Sequence, residues 1–251
     1  MNVIVTGASK GIGKAIAEIF AANGHNLFLC SRGELSLYKT VEELMTKFPD
    51  AAIKARPFDL SKKEEAIAFG NWCLSFAVPD ILVNNAGFFE PGSVHNEPDG
   101  LLESQMACNV YSAYHVSRTV LPKMMERIST TAKAGQAGSP KGSGHAGRGH
   151  IFNICSIASL HAYANGGAYS ISKYALHGFS KNLREEMKPF NIKVTSVFPG
   201  AVLTDAWGNF DNSSHRMMEA NDIAKMIYAA ATLSPGACVE DIVMRPQLGD
   251  L

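Results

Sequence analysis

The chain has 251 residues, enough for one large domain with a buried core. Apolar residues make up 46% and charged residues 18%, and Lys plus Arg (23) equals Asp plus Glu (23). That balance argues against a disordered chain and against a nucleic-acid or acidic-lipid surface.

The elements alternate from the start. "NVIVT" (2–6) reads as a first strand, and structured sequence beginning this early predicts no leader peptide. A helix is expected over 12–23, a strand over "NLFLCS" (26–31), a helix over 34–47 and a strand over "AIKARPF" (52–58). There follow a helix at 62–76, the strand "DILVNN" (80–85) and a long helix at 101–127. Residues 128–149, rich in Gly, Ser and Ala with no acidic residue, are expected to be a mobile surface insertion. "HIFNICS" (150–156), a helix at 167–188, "IKVTSVF" (192–198), a helix at 220–232 and a weaker seventh strand "CVEDIVM" (238–244) complete the chain. Strands apolar on both faces, alternating with amphipathic helices, predict a single doubly wound parallel α/β sheet covered by helices on both faces. No apolar run is long and uninterrupted enough to span a bilayer, so no membrane partner is expected. The five cysteines (Cys30, Cys73, Cys108, Cys155, Cys238) are odd in number and scattered in apolar company, which predicts reduced core residues and a cytoplasmic location.

Two stretches carry chemistry. "TGASKGIG" places Gly7, Gly11 and Gly13 between the first strand and the first helix, with Ser9, Lys10 and Ile12 in the same turn. Glycines there let a backbone approach a pyrophosphate at a positive helix N-terminus. The second strand ends "CSRGE", where Ser31 and Arg32 stand in place of the carboxylate that would hold a ribose 2′-hydroxyl. Arg32, with Lys10 beside the same pocket, suits a 2′-phosphate and predicts NADP(H); Glu34 falls past the strand tip and is expected to begin the helix. Further along, "AYSISKYALHG" sets Tyr169 and Lys173 four residues apart on one helix face, thirteen residues beyond Ser156 at a strand end.

Taken together, "TGASKGIG", "DL" at 59–60, "NNAG" at 84–87, Asn109, Ser156, "YSISK" and "PGAVLT" at 199–204 resemble the short-chain dehydrogenases/reductases along nearly the whole chain. The resemblance implies a seven-stranded Rossmann fold and a site in which Tyr169 donates the proton in carbonyl reduction. It implies that Ser156 polarises the substrate oxygen, that Lys173 favours the phenolate and binds the nicotinamide ribose, and that Asn109 holds a helix kink and a relay water. By the same resemblance Asp59 and Leu60 adjoin the adenine, Asn84, Ala86 and Gly87 flank the adenosine ribose, and Pro199, Gly200, Val202 and Thr204 orient the carboxamide. It further implies a homodimer or homotetramer paired through the stretches 101–127 and 167–188.

Elementary chemistry supports the central pair. A tyrosine titrates at about pH 10 and is a poor base at neutrality. An ammonium at i+4 favours its phenolate, and hydride addition puts negative charge on an oxygen that two hydroxyl donors can meet. The chain departs from the 3-oxoacyl-carrier-protein reductases at its end, which reads "SPGACVEDIVMRPQLGDL", and the segment after Thr204 is short for a lid. A small ketone, diketone or pterin-like carbonyl is therefore the expected substrate, a 3-oxoacyl thioester the alternative, and a non-catalytic NADP(H)-binding protein the alternative of another class. His161, Tyr163 and Asn165 are candidates for the substrate side, and Trp207 and Phe210 for a cover over it. The eight histidines show no metal-ligand spacing, and no metal is expected.

Overall fold

A computed structural model describes residues 1–136, 149–204, 207–208 and 210–249. Seven parallel strands run β1 (Asn2–Thr6), β2 (Asn26–Cys30), β3 (Ile53–Ala55), β4 (Ile81–Asn84), β5 (Gly149–Ile154), β6 (Ile192–Pro199) and β7 (Asp241–Met244). Their spatial order is β3-β2-β1-β4-β5-β6-β7. The order reverses between β1 and β4, so a crevice opens where the loops leaving those two strands diverge.

Helices cover both faces. On one, α1 (Gly11–Ala22), α2 (Glu34–Lys47) and α7 (Ala220–Thr232) bury Ile16, Phe20, Leu37, Ile223 and Ile227 against Val3, Val5 and Leu29. On the other, α3 (Lys63–Leu74), α5 (Ser112–Gln136) and α6 (Gly167–Met187) bury Phe69, Val116, Val120 and Leu183 against Ile4, Leu82 and Ile151. In α1 the buried Gly13, Ile16, Ala17, Phe20 and Ala21 recur at the three- and four-residue steps of one helix face. Burial of a Phe20-sized side chain contributes about 1.5–3 kcal/mol, so this stripe fixes the helix to the sheet. Glu34 begins α2, as expected.

Between α4 (Leu101–Met106) and α5 the helix widens into one π turn, Ala107–Tyr111, centred on Asn109. The Ser112 hydroxyl donates to the Cys108 carbonyl, compensating part of the loosened ladder. The regular strand within 52–58 is shorter than expected, three residues, although Arg56 and Phe58 N–H still donate to the Leu29 and Ser31 carbonyls beyond it, each at 3.1 Å.

The expected insertion at 128–149 is corrected at both ends. Helix α5 continues to Gln136, and Gly149 already belongs to β5. Residues 137–148 lie outside the described residues. Cys30, Cys73 and Cys155 are buried free thiols, whereas Cys108 and Cys238 are half-exposed rather than core residues. Burial pushes the Cys155 thiol up to about 12, which keeps it protonated and inert. No helix among the described residues is long and apolar enough to cross a membrane.

Candidate active site

The C-terminal ends of β1, β4 and β5 converge at the crevice, and Thr6 joins the first two. Its buried hydroxyl accepts from the backbone N–H groups of Asn85 and Ala86, each at 2.9 Å, and donates to the Val83 carbonyl at 3.3 Å. The Asn85 amide returns the contact, donating to the carbonyls of Thr6 (2.9 Å) and Gly7 (3.1 Å). The glycine turn and the 84–87 segment are thus one hydrogen-bonded unit. Gly13 is required by closeness: a Cβ there would lie 2.3 Å from the Gly7 carbonyl oxygen. Thr40 Oγ1 of α2 donates to the Ser9 carbonyl at 2.7 Å and holds the far side of the turn.

The turn presents an anion cradle. Helix α1 has no acidic residue in its first turn, and the side chain at its cap position, Lys10, makes no capping hydrogen bond. Ser9, Lys10, Gly11, Lys39 and Thr204 are among the residues lining a cleft of about 460 Å³ beside it. Thr204 closes on the loop, with Cγ2 3.1 Å from where a Cβ on Gly11 would sit. Ser31 donates to the Gly33 carbonyl and stiffens the tip of β2, leaving Arg32 exposed there. Burial alone would raise the Asp59 carboxyl, but two hydrogen bonds from Ser61 and the charges of Lys62 and Arg32 hold it below the usual range. Arg32 and Asp59 therefore share one electrostatic neighbourhood.

On the catalytic side, Lys173 is buried, with Nζ donating to the Ile154 carbonyl at 2.9 Å and 5.7 Å from the Tyr169 ring centroid. A lysine so placed is aimed by the end of β5 as much as by its own helix. The π turn directs Asn109 inward: its Oδ1 accepts from Phe88 N–H (2.9 Å), and its Nδ2 donates to Ser172 Oγ (2.9 Å) and the Phe88 carbonyl (3.2 Å). Ser172 in turn donates to the Tyr169 carbonyl at 2.8 Å. Gly87 packs between, the position of its absent Cβ being 2.8 Å from Asn109 Oδ1 and 3.6 Å from Lys173 Nζ. The structure thus gathers Gly87, Asn109, Tyr169 and Lys173 into one cluster. Ser156 lies two residues past Ile154 and caps the short turn Ile157–Ser159, its Oγ accepting from Ala158 N–H at 3.1 Å. That bond takes a lone pair and leaves the hydroxyl proton to donate elsewhere.

Several expected contacts have their side chains turned elsewhere. Leu60 and Val202 are buried in the two cores, so only their backbones can face a ligand. Asn84 donates to Ser117 Oγ (3.0 Å) and Asn153 Oδ1 (2.8 Å) inside the structure, and Asn153 continues to Ser180. This buried chain ties α5, β4, β5 and α6 together beneath the site. Ile12 packs against the core, Pro199 ends β6, and Gly200 N–H bonds the Met244 carbonyl. His161 and Tyr163 are exposed beyond the Ser156 turn, and Trp207 and Phe210 form an exposed edge-on pair. Asn165 is held by Ser93 Oγ and Gly92 N–H, a role in loop architecture. Sequence reasoning missed Thr6, Asn85, Thr40 and Ser172. It also missed Phe89, whose exposed ring meets Tyr169 edge-on with centroids 4.8 Å apart. Among the described residues, no group of three or more His, Cys, Asp or Glu could hold a metal ion.

A family model described as short chain dehydrogenase matches residues 1–214. An uncharacterized oxidoreductase of Staphylococcus aureus (strain MRSA252) is 27% identical over 244 residues, covering 97% of this chain and 96% of the relative. The crystal structure of a metagenomic short-chain oxidoreductase in complex with NADP is 27% identical, with a TM-score of 0.79 over 98% of this chain and 97% of that one. An alcohol dehydrogenase from the archaeon Thermococcus sibiricus, complexed with 5-hydroxy-NADP, shares the fold with a TM-score of 0.84 at 22% identity, over 98% and 96% of the two chains.

Proposed function

The chain belongs to the short-chain dehydrogenase family, and on that premise we propose that it is an NADPH-dependent carbonyl reductase acting on a small ketone, diketone or pterin-like carbonyl. The observation that carries this reading is the buried Lys173 ammonium, anchored on Ile154 beside Tyr169, with the Asn109 π turn behind both.

The residues fit a phosphorylated dinucleotide: a helix N-terminus with no acidic residue in its first turn, Lys10 and Lys39 lining the cleft with the Glu43 carboxylate engaged by Lys14, and Arg32 where a 2′-hydroxyl-binding carboxylate would otherwise stand. Residues 7–13 would hold the pyrophosphate, Arg32 and Lys10 the 2′-phosphate, and Lys173 the nicotinamide ribose. The bound cofactor supplies hydride. Tyr169 gives its phenolic proton to the substrate oxygen as negative charge builds there, and Ser156 donates a second hydrogen bond to the same oxygen. An ammonium has three donors; one is engaged by Ile154, which leaves two for the phenol and a ribose hydroxyl. Asn109, through Ser172, holds the backbone of Tyr169 while these exchanges occur. The exposed rings of Phe89, Tyr163, Trp207 and Phe210 and the short segment before α7 support an accessible, apolar mouth. Exposed Tyr111, Tyr114, Ile171 and Tyr174 on the Asn109 turn, α5 and α6 support pairing of this chain with a second copy.

The test is NADPH oxidation against ketones, diketones, quinones, a pterin and a 3-oxoacyl thioester, with NADH and Tyr169→Phe run in parallel. Turnover preferring NADPH and falling roughly 10²- to 10⁴-fold in the variant, with NADPH binding retained, is expected. Tight NADPH binding without turnover of any carbonyl would overturn the catalytic reading, and a long acyl thioester preferred by a wide margin would overturn the substrate class.

A further inference from the structure

The first turn of α6 has no cap of its own. Gly166 at the cap position offers no side chain, yet the helix carries Tyr169 and Lys173. The missing acceptor comes from the loop after β4: Glu97 Oε2 accepts from Ala168 N–H at 3.1 Å, one residue before Tyr169. We propose that Glu97 is a positioning residue, a carboxylate supplied from another loop that fixes the first turn of α6 and so aims the Tyr169 phenol; the inference rests on the reading of Tyr169 as proton donor.

Two glycines make room for it. A Cβ on Gly167 would lie 2.4 Å from Glu97 Oε2, and one on Gly92 would lie 2.8 Å from Glu97 Cβ. At the cap position itself, a Cβ on Gly166 would lie 2.9 Å from the Tyr163 carbonyl oxygen. The Glu97 loop is also latched at both ends. Gly92 N–H donates to the Asn165 carbonyl (3.1 Å) and Ser93 Oγ to Asn165 Oδ1 (2.8 Å), with Asn165 held in the left-handed region at φ 59°. At its start Asn109 grips both backbone groups of Phe88, and the next residue, Phe89, lays its ring against Tyr169. A carboxylate at a helix N-terminus is electrostatically favourable, and its bond to an N–H is charge-assisted. Loop 88–97 therefore meets the start of α6 twice: at the Tyr169 ring through Phe89, and at the preceding residue, Ala168, through Glu97.

The experiment compares E97Q, E97A and Gly167→Ala in the full chain with NADPH bound, labelled with 3-fluorotyrosine and read by ¹⁹F NMR. The Tyr169 resonance is assigned by its loss in Tyr169→Phe. Turnover of 2,3-butanedione, NADPH affinity and thermal melting are measured on the same samples. E97A and Gly167→Ala are expected to shift or split the Tyr169 resonance and to lower kcat about tenfold, with NADPH Kd within about twofold of wild type. E97Q, which keeps an acceptor oxygen, is expected to retain the wild-type resonance and at least about a third of kcat. An unmoved resonance in E97A, or E97Q as impaired as E97A in both resonance and melting, overturns the inference. A wild-type protein that reduces no carbonyl would sink the proposed function, while the resonance would still decide the role of Glu97.

Discussion

Thr6 is the sharpest place to test whether the crevice is held by hydrogen bonds or only by packing. Thr6→Val keeps the shape of a buried side chain and removes one oxygen. That oxygen accepts from two backbone N–H groups, Asn85 and Ala86, and donates to one carbonyl. Leaving a buried donor unpaired costs about 1–3 kcal/mol, and here two are orphaned. Water reaching the half-buried Asn85 and Ala86 offsets part of this, giving a loss of about 2–4 kcal/mol. For a chain of this size that lowers Tm by roughly 5–15 °C. The same bonds set the distance between the glycine turn and the 84–87 segment, so NADPH Kd is expected to rise about tenfold, equivalent to ~1.4 kcal/mol. Urea unfolding and NADPH fluorescence titration measure the two effects, with Thr6→Ser as the control that keeps the oxygen. A Thr6→Val protein within about 0.5 kcal/mol of wild type, binding NADPH equally well, would refute the reasoning.

Three further perturbations probe other parts of the molecule. Arg32→Asp removes the forked donor at the tip of β2 and adds a carboxylate; the ratio of kcat/KM for NADPH over NADH is expected to fall about 10- to 100-fold, and an unchanged ratio would show that Arg32 does not read the cofactor. Phe89→Ala removes the exposed ring lying edge-on to Tyr169, so KM for an aromatic ketone is expected to rise roughly three- to tenfold while a small aliphatic ketone is little affected. His150 is buried in β5, and burial, with Lys193 and Arg184 adding to it, pulls its imidazole down to about 3. The folded protein then refuses a proton that the unfolded chain accepts below its ordinary value. Stability from this group is present above about pH 6.5 and falls by about 2 kcal/mol between pH 7 and pH 5. His150→Gln should flatten that portion of the denaturation slope by the same amount, and equal slopes in the two proteins would contradict it.

The parallel sheet was legible because β1, β4 and β5 are apolar on both faces, a pattern that only a sheet covered on two sides explains. The ends of elements were less so. Helix α5 runs nine residues beyond the expected 127, through a stretch containing Thr, Ala and Lys, because propagation from an established helix costs little even where composition is unremarkable. Tyr169 and Lys173 were readable as a pair because they share a helix face, and the helix kink that the family resemblance implied at Asn109 coincides with the π turn. Thr6, Asn85 and Glu97 escaped for one physical reason. Each acts on a segment roughly seventy or eighty residues away, and nothing in its own neighbourhood of the sequence records that partnership. Asn84 misled in the opposite sense: it sits in the right motif, but its amide faces Ser117 and Asn153.

The backbone bridge between Gly92 and Gly166 bears on how such a protein can be re-engineered. On the proposed function, the loops after β4 and β5 are the places to retarget selectivity, because Lys173 takes its bearing from the Ile154 carbonyl at the end of β5. Yet the two loops are stitched to each other at Gly92–Asn165 and again at Ser93–Asn165. Transplanting either one alone from a relative would tear that seam and slacken the start of α6. The two must be exchanged as a matched pair, so a library that recombines them independently will consist largely of broken hybrids.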